Sequence, residues 1–149
     1  MRSGILAHVS LENIERNRGL LAAYNARNID AMIDYFDAAI ELQSAFAAVE
    51  GVTYRGHDGI RRWHHDLQES WGEDVRVDPE AYFDLGERTL VFYTLRGRGA
   101  RSGMEVAMSA AYIVRWSDGL AVHLKAFADR EQALRDLDLA ATQLEPIAP

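Results

Sequence analysis

The chain has 149 residues, 48% of them hydrophobic, a formal net charge of -7 and no cysteine. That length suits one domain around a continuous core, and the acidic balance disfavours a phosphate backbone, so nucleic acid is not an expected partner. Lacking cysteine, the chain has no disulfide, thiolate nucleophile or thiolate metal site. This fits a reducing compartment. No apolar run is long enough to span a bilayer and no leader-like succession is visible, so a cytoplasmic location without membrane association is expected.

Ser10 is read as the N-cap of a first helix that places Leu11, Ile14, Leu21 and Tyr24 near one face. Asn28 caps a short second helix carrying Ile29, Met32, Ile33 and Phe36. Residues 39–46 read as a strand with Ile40, Leu42 and Ser44 on one side, and Gly51 to Gly56 form a break. A third helix then opens at Gly56-His57-Asp58-Gly59-Ile60, and its 3.6-residue period puts Ile60, Trp63, His64, Leu67 and Trp71 on one face.

From about residue 75 the period changes to two, giving strands over Val75 to Asp84, Thr89 to Arg98, Met104 to Trp116 and Leu120 to Phe127. The turns at Leu85-Gly86-Glu87, Gly99 to Gly103 and Ser117-Asp118-Gly119 have hairpin chemistry, so the sheet is antiparallel at least in this part. Met104, Val106, Met108, Ala110, Tyr112, Val114 and Trp116 share the apolar parity and are expected to face the helices, continued by Leu120, Val122, Leu124 and Ala126. Asp129 caps a closing helix, and residues 142–149 are expected to fray. Helices followed by an antiparallel meander imply an α+β domain, a curved sheet wrapped over N-terminal helices.

Three stretches carry a resemblance: Tyr24-Asn25-Ala26-Arg27-Asn28-Ile29-Asp30-Ala31, Gly56-His57-Asp58-Gly59-Ile60 and Ser117-Asp118-Gly119. On these the chain resembles the SnoaL-like branch of the nuclear transport factor 2-like superfamily over about residues 10–138. The resemblance implies a cone-shaped α+β fold with a cavity between sheet and helices. Its members include polyketide cyclases, steroid isomerases, epoxide hydrolases and noncatalytic binding modules, so it does not name an activity. The acid such enzymes carry on the last strand matches Ala126 here; the steroid-isomerase tyrosine, base and hydrogen-bonding acid match Leu20, Ser44 and Tyr112. None of those reactions is transferred.

His64 is then the main acid-base candidate, because imidazole titrates near neutrality. A buried ring satisfied by a backbone group is the plainer alternative. Tyr112 is the second candidate, either donating its phenol to a ligand carbonyl or simply completing the core. Tyr24, Ser44, Trp63, Leu67, Trp71, Met108, Leu124 and Ala126 are the expected ligand-contacting set. Arg96 or Arg98 reads as hairpin-tip or pocket-mouth, Asp58 as a helix-dipole partner and Asp84 as a turn residue. His57, His64 and His65 lack the helical spacing of a zinc pair, and neither a metal nor a cofactor is expected.

Two functions stay open: proton transfer on a small apolar carbonyl compound through His64 and Tyr112, or a noncatalytic module for ligand binding or dimerisation. A homodimer is expected because Ala107, Ala111, Ile113, Ala121 and Phe127 give the outer sheet face more apolar surface than solvation requires.

Overall fold

The change of hydrophobic period near residue 75 marks the border between a helical half and a sheet, and a computed structural model describes residues 4–45, 52–98 and 103–149, the first seven of these as backbone only. Helices α1 (Gly4–Asn25) and α2 (Ile29–Ile33) lead into β1 (Phe36–Gln43), β2 (Thr53–Arg55) and α3 (Gly56–Trp71). Strands β3 (Arg76–Leu85), β4 (Arg88–Arg98), β5 (Glu105–Ser117) and β6 (Leu120–Phe127) follow, then α4 (Arg130–Leu137) and a single 3-10 turn (Ala141–Gln143). The strands form one curved six-stranded sheet in the order β2-β1-β6-β5-β4-β3. Among its described pairings all are antiparallel except β1 with β6.

Capping fixes the short elements. The Asn28 side chain accepts from the Ala31 amide at 3.2 Å, and Asp129 accepts from Glu131 at 2.9 Å, each filling an orphan donor of a helix start. The α1 backbone begins at Gly4, so Ser10 lies inside the helix rather than capping it. Leu11, placed on the core stripe by period alone, is 57% exposed. The buried face runs instead through Asn13, Ile14, Asn17, Leu20, Leu21 and Tyr24.

The opening of α3 depends on two glycines. Gly56 has φ +71°, a conformation that penalises a side chain, and a Cβ on Gly59 would meet the Tyr54 carbonyl carbon at 2.9 Å. The chain can therefore turn from β2 directly into a helix lying against β1.

Two layers of apolar packing flank the sheet. The inner one joins α1, α2 and α3 to the sheet through Ile14, Leu20, Phe36, Ile60, Val91 and Val114 among others. The outer one sets Ala133 and Leu137 of α4 against Phe83, Leu90, Ala111, Ile113 and Phe127. Three residues expected to seek a second copy are thus covered within the chain. Ala121 belongs to the inner layer.

Parity changes where the ladder slips. A bulge between Arg115 and Trp116 pairs Arg115 with His123 and Trp116 with Ala121, so one residue of β6 is extra. Ala121 consequently joins Leu124 in the core, while Leu120 and Val122 are only half-buried. The expected inward parity of β5 holds from Ala110 to Trp116 and fails earlier: Met104, Val106 and Met108 are 68%, 38% and 39% exposed. Phe127 of β6 ends opposite Ala111, so the first half of β5 runs on beyond the paired β6 and beyond the inner core.

The tail does not end free. Tyr82 and Ile147 exchange backbone hydrogen bonds at 2.9 and 2.7 Å, and Arg18 donates to the Ala148 carbonyl at 2.8 Å. The expected hairpin tip at residues 99–102 and the break residue Gly51 lie outside the described residues.

Candidate functional site

Between the helices and the sheet lies a cavity of about 50 Å³. Leu20, Leu21 and Tyr24 of α1, Met32 of α2 and Trp63 of α3 form its helical wall. Leu42 of β1, Val77 of β3, Tyr93 of β4, Tyr112 of β5 and Leu124 and Ala126 of β6 form the sheet wall. None of these lining residues is ionised at neutral pH. A water needs roughly 10–15 Å³ on this scale, so the space suits a few waters or the body of a small molecule.

Its polar groups are phenols. Tyr112, 4% exposed, donates to Asn17 Oδ1 at 2.7 Å, and Asn17 in turn donates to the Asn13 carbonyl at 2.9 Å. Burial pushes the Tyr112 phenol well up, with smaller contributions from Tyr82 and Tyr93. Tyr93 is raised too, mainly by burial and then by the neighbouring Tyr24 phenol. Tyr24 differs from Tyr112: its hydroxyl is buried and, among the described residues, has no acceptor for its proton. Burial lifts it to about 12 against the opposing pull of Arg27, whose guanidinium stands 6.0 Å from the ring centroid. At neutral pH all three are protonated donors, and none can act as a base.

His64 stands behind Tyr24 rather than among the lining residues. Its ring meets the Tyr24 ring edge-on, with centroids 5.8 Å apart and planes at 89°, while Trp63 touches the same tyrosine at 5.7 Å. Half-burial lowers the His64 pKa, assisted by the positive charge of Arg27 and then by His65. The imidazole is therefore neutral at pH 7.

Five of the residues expected to contact a ligand or act on it come together here: Tyr24, Trp63, Tyr112, Leu124 and Ala126. Ser44 is buried outside this wall, lining a separate surface cleft with Lys125, Phe127 and Arg135. Leu67 is core, Trp71 packs beside it and Met108 is exposed, so none of the three reaches the cavity. Arg96 pairs with Asp78 at 2.7 Å, and Asp84 accepts from the Gly86 amide at 2.9 Å as a turn residue.

The sequence reading missed Leu20, Leu21, Met32, Leu42, Val77 and Tyr93 as lining residues. Leu21, Met32 and Leu42 sit on correctly read apolar faces, whereas alternation assigns no face to Val77 or Tyr93; which core residues border the cavity is decided by long-range packing. It also missed the Asn13 and Asn17 chain, because buried asparagines on an apolar stripe resemble surface positions until their partners are known. On the exposed face of α3, donor atoms of His65, Asp66 and Glu69 lie within 4.8 Å of one another; Asp66 accepts from the Tyr54 hydroxyl at 2.6 Å.

Known proteins place this geometry in a family. The structure is similar to that of TerC co-crystallised with polyporic acid, at 22% identity and TM-score 0.71, covering 85% of this chain and 97% of that one. It is similar to an NTF2-like protein from Burkholderia thailandensis E264, at 24% identity and TM-score 0.68, covering 83% and 95%. A protein of ketosteroid isomerase-like fold from Catenulispora acidiphila DSM 44928, in complex with trimethylamine, matches at 18% identity and TM-score 0.68, covering 86% and 95%. At these identities the likeness shows the fold alone. No curated protein sequence matches the chain. The family model of the SnoaL-like domain matches residues 17–124, from the buried Asn17 of α1 to Leu124 in the cavity wall, and the chain belongs to that family.

Proposed function

We propose that this domain binds a small, mostly apolar molecule carrying one hydrogen-bond-accepting oxygen. The observation that carries the reading is the Tyr24 hydroxyl: buried, without an acceptor among the described residues, on the wall of a mostly apolar cavity. A buried unpaired hydroxyl costs free energy that an accepting ligand atom or an ordered water would recover. TerC, of the same fold, was crystallised with an organic small molecule, which is consistent with this use of the space.

The Tyr112 phenol is already committed to Asn17, so polarising a ligand oxygen falls to Tyr24 and the adjacent Tyr93. Without a carboxylate on the wall, binding is favoured over proton transfer. Titrating the protein with cyclohexanone, followed by NMR, tests the reading. Saturable shifts at cavity residues that weaken at least several-fold in Tyr24→Phe are expected, and binding unchanged in that variant would refute it.

One observation favours the catalytic alternative. His64 is neutral and touches Tyr24, so it can accept a proton if a ligand brings one near. Catalysed deuterium uptake at the α-carbons of cyclohexanone in D₂O, lost in His64→Gln, would establish it; no uptake above buffer would dismiss it. The reading keeps the expected cytoplasmic location and a homodimer. The basis for the dimer moves from the covered residues to the exposed Met104, just before β5, and Val106 and Met108 within it, and monomers at micromolar concentration in light scattering would remove it.

A further inference from the structure

The loop after α1 holds an arginine where the backbone favours glycine. Arg27 has φ +61°, its amide donates to the Tyr24 carbonyl at 3.0 Å and Asn28 donates to Ala23 at 3.0 Å, closing the helix end. A left-handed residue with a Cβ costs roughly 1–2 kcal/mol, which is why glycine is the usual occupant. Such an outlier invites a reason in its side chain.

The Arg27 side chain folds back over its own helix. Its Nη1 donates to the Val75 carbonyl, tethering the guanidinium beside Tyr24. Among the described residues no carboxylate pairs with it, in a chain with 23 acids against 16 bases. Around Tyr24, just outside the cavity lining, stand a tethered, exposed cation and the edge of a neutral imidazole, and the phenol between them is buried and lacks an acceptor. The lining itself is uncharged, so an ion placed deeper would lose hydration without compensation.

Building on the binding reading above, we infer that the accepting oxygen belongs to a carboxylate and that the ligand is a compact apolar acid. Its hydrocarbon body lies among Leu21, Met32 and Trp63; its head lies at Tyr24 and Arg27, half in solvent. The small volume sets the scale, a branched short chain or a single ring rather than a fused polycycle. The guanidinium supplies a charge-assisted bond that a neutral isostere cannot match.

The test compares isovalerate and benzoate with isovaleramide and benzamide by NMR titration of the full chain at pH 7. The acids are expected to bind about tenfold more tightly than the amides, the lower end of what a hydrogen bond to a charged group supplies. Arg27→Gln is expected to abolish that preference and Arg27→Lys to retain part of it. Arg27→Gly, which relieves the left-handed backbone while giving up the Val75 hydrogen bond, is expected to lose the preference too. Amides binding as tightly as acids, or an acid preference surviving in Arg27→Gly, would overturn the carboxylate assignment and leave the cavity reading standing. If neither acids nor amides bind, the cavity reading fails with it.

Discussion

Tyr24 and Tyr112 both line the cavity, and they spend their hydroxyls differently. Tyr112 is held by Asn17, a partner 95 positions away in sequence. Tyr112→Phe should therefore leave Asn17 Oδ1 buried and unpaired and lower stability by about 1–3 kcal/mol in denaturant unfolding. Ligand binding should survive. Tyr24→Phe should show the opposite pattern, near-native stability and weakened binding, because among the described residues no acceptor takes that hydroxyl's proton. The alternation of β5 was enough to place Tyr112 inward, but no local pattern could say where its proton points. His64 gives a pH prediction. Its folded pKa lies below the ordinary value, so between the two the unfolded chain binds more protons. Stability should be full above about 6.5, fall as pH drops toward the folded pKa, and level off below it. His64→Gln should flatten that portion of a stability-against-pH curve; an unchanged slope would place the titration elsewhere.

At the scale of elements, the segment joining β2 to α3 was read from its glycines, and the structure gives them a steric reason. Gly59→Ala should push the helix off Tyr54 and cost about 1–3 kcal/mol, an overpacking effect measurable by thermal unfolding. Helix periods and hairpin glycines were legible because they are local. The β6 parity was not, since one extra residue opposite Arg115 and Trp116 reverses the facing of what precedes it in β6. The exposure of Val106 and Met108 was also hidden, because alternation reports which face a residue takes, not whether a helix reaches that far. The C-terminal segment is a third case. Its polar, proline-bearing sequence suggests a loose end, yet Ile147 pairs with edge strand β3 and Leu144 packs on the outer layer. Removing residues 144–149 should lower stability by on the order of 2 kcal/mol, as expected for partial loss of two aliphatic side chains from an apolar surface.

At the scale of the whole molecule, the sheet carries packing on both faces, helices α1 to α3 with Ile147 inside and α4 with Leu139 and Leu144 outside. The outer covering explains why apolar residues on that face are a poor guide to association. The inner face keeps a small space bordered by three phenols, with Tyr112 and Ala126 on its sheet wall. The fold was readable in the sequence; the polar chemistry around Tyr24 was not, since it depends on Tyr24 of α1 meeting Tyr93 of β4 and on Arg27 reaching the Val75 carbonyl. The central claim is that this space takes a ligand. Methyl-resolved NMR of Leu21, Met32 and Leu124 during addition of cyclohexanone tests it most directly. The account predicts saturable shifts concentrated at those methyls and attenuated in Tyr24→Phe; methyls that do not move, or shifts centred on Leu137 and Leu144 of the outer layer, would contradict it.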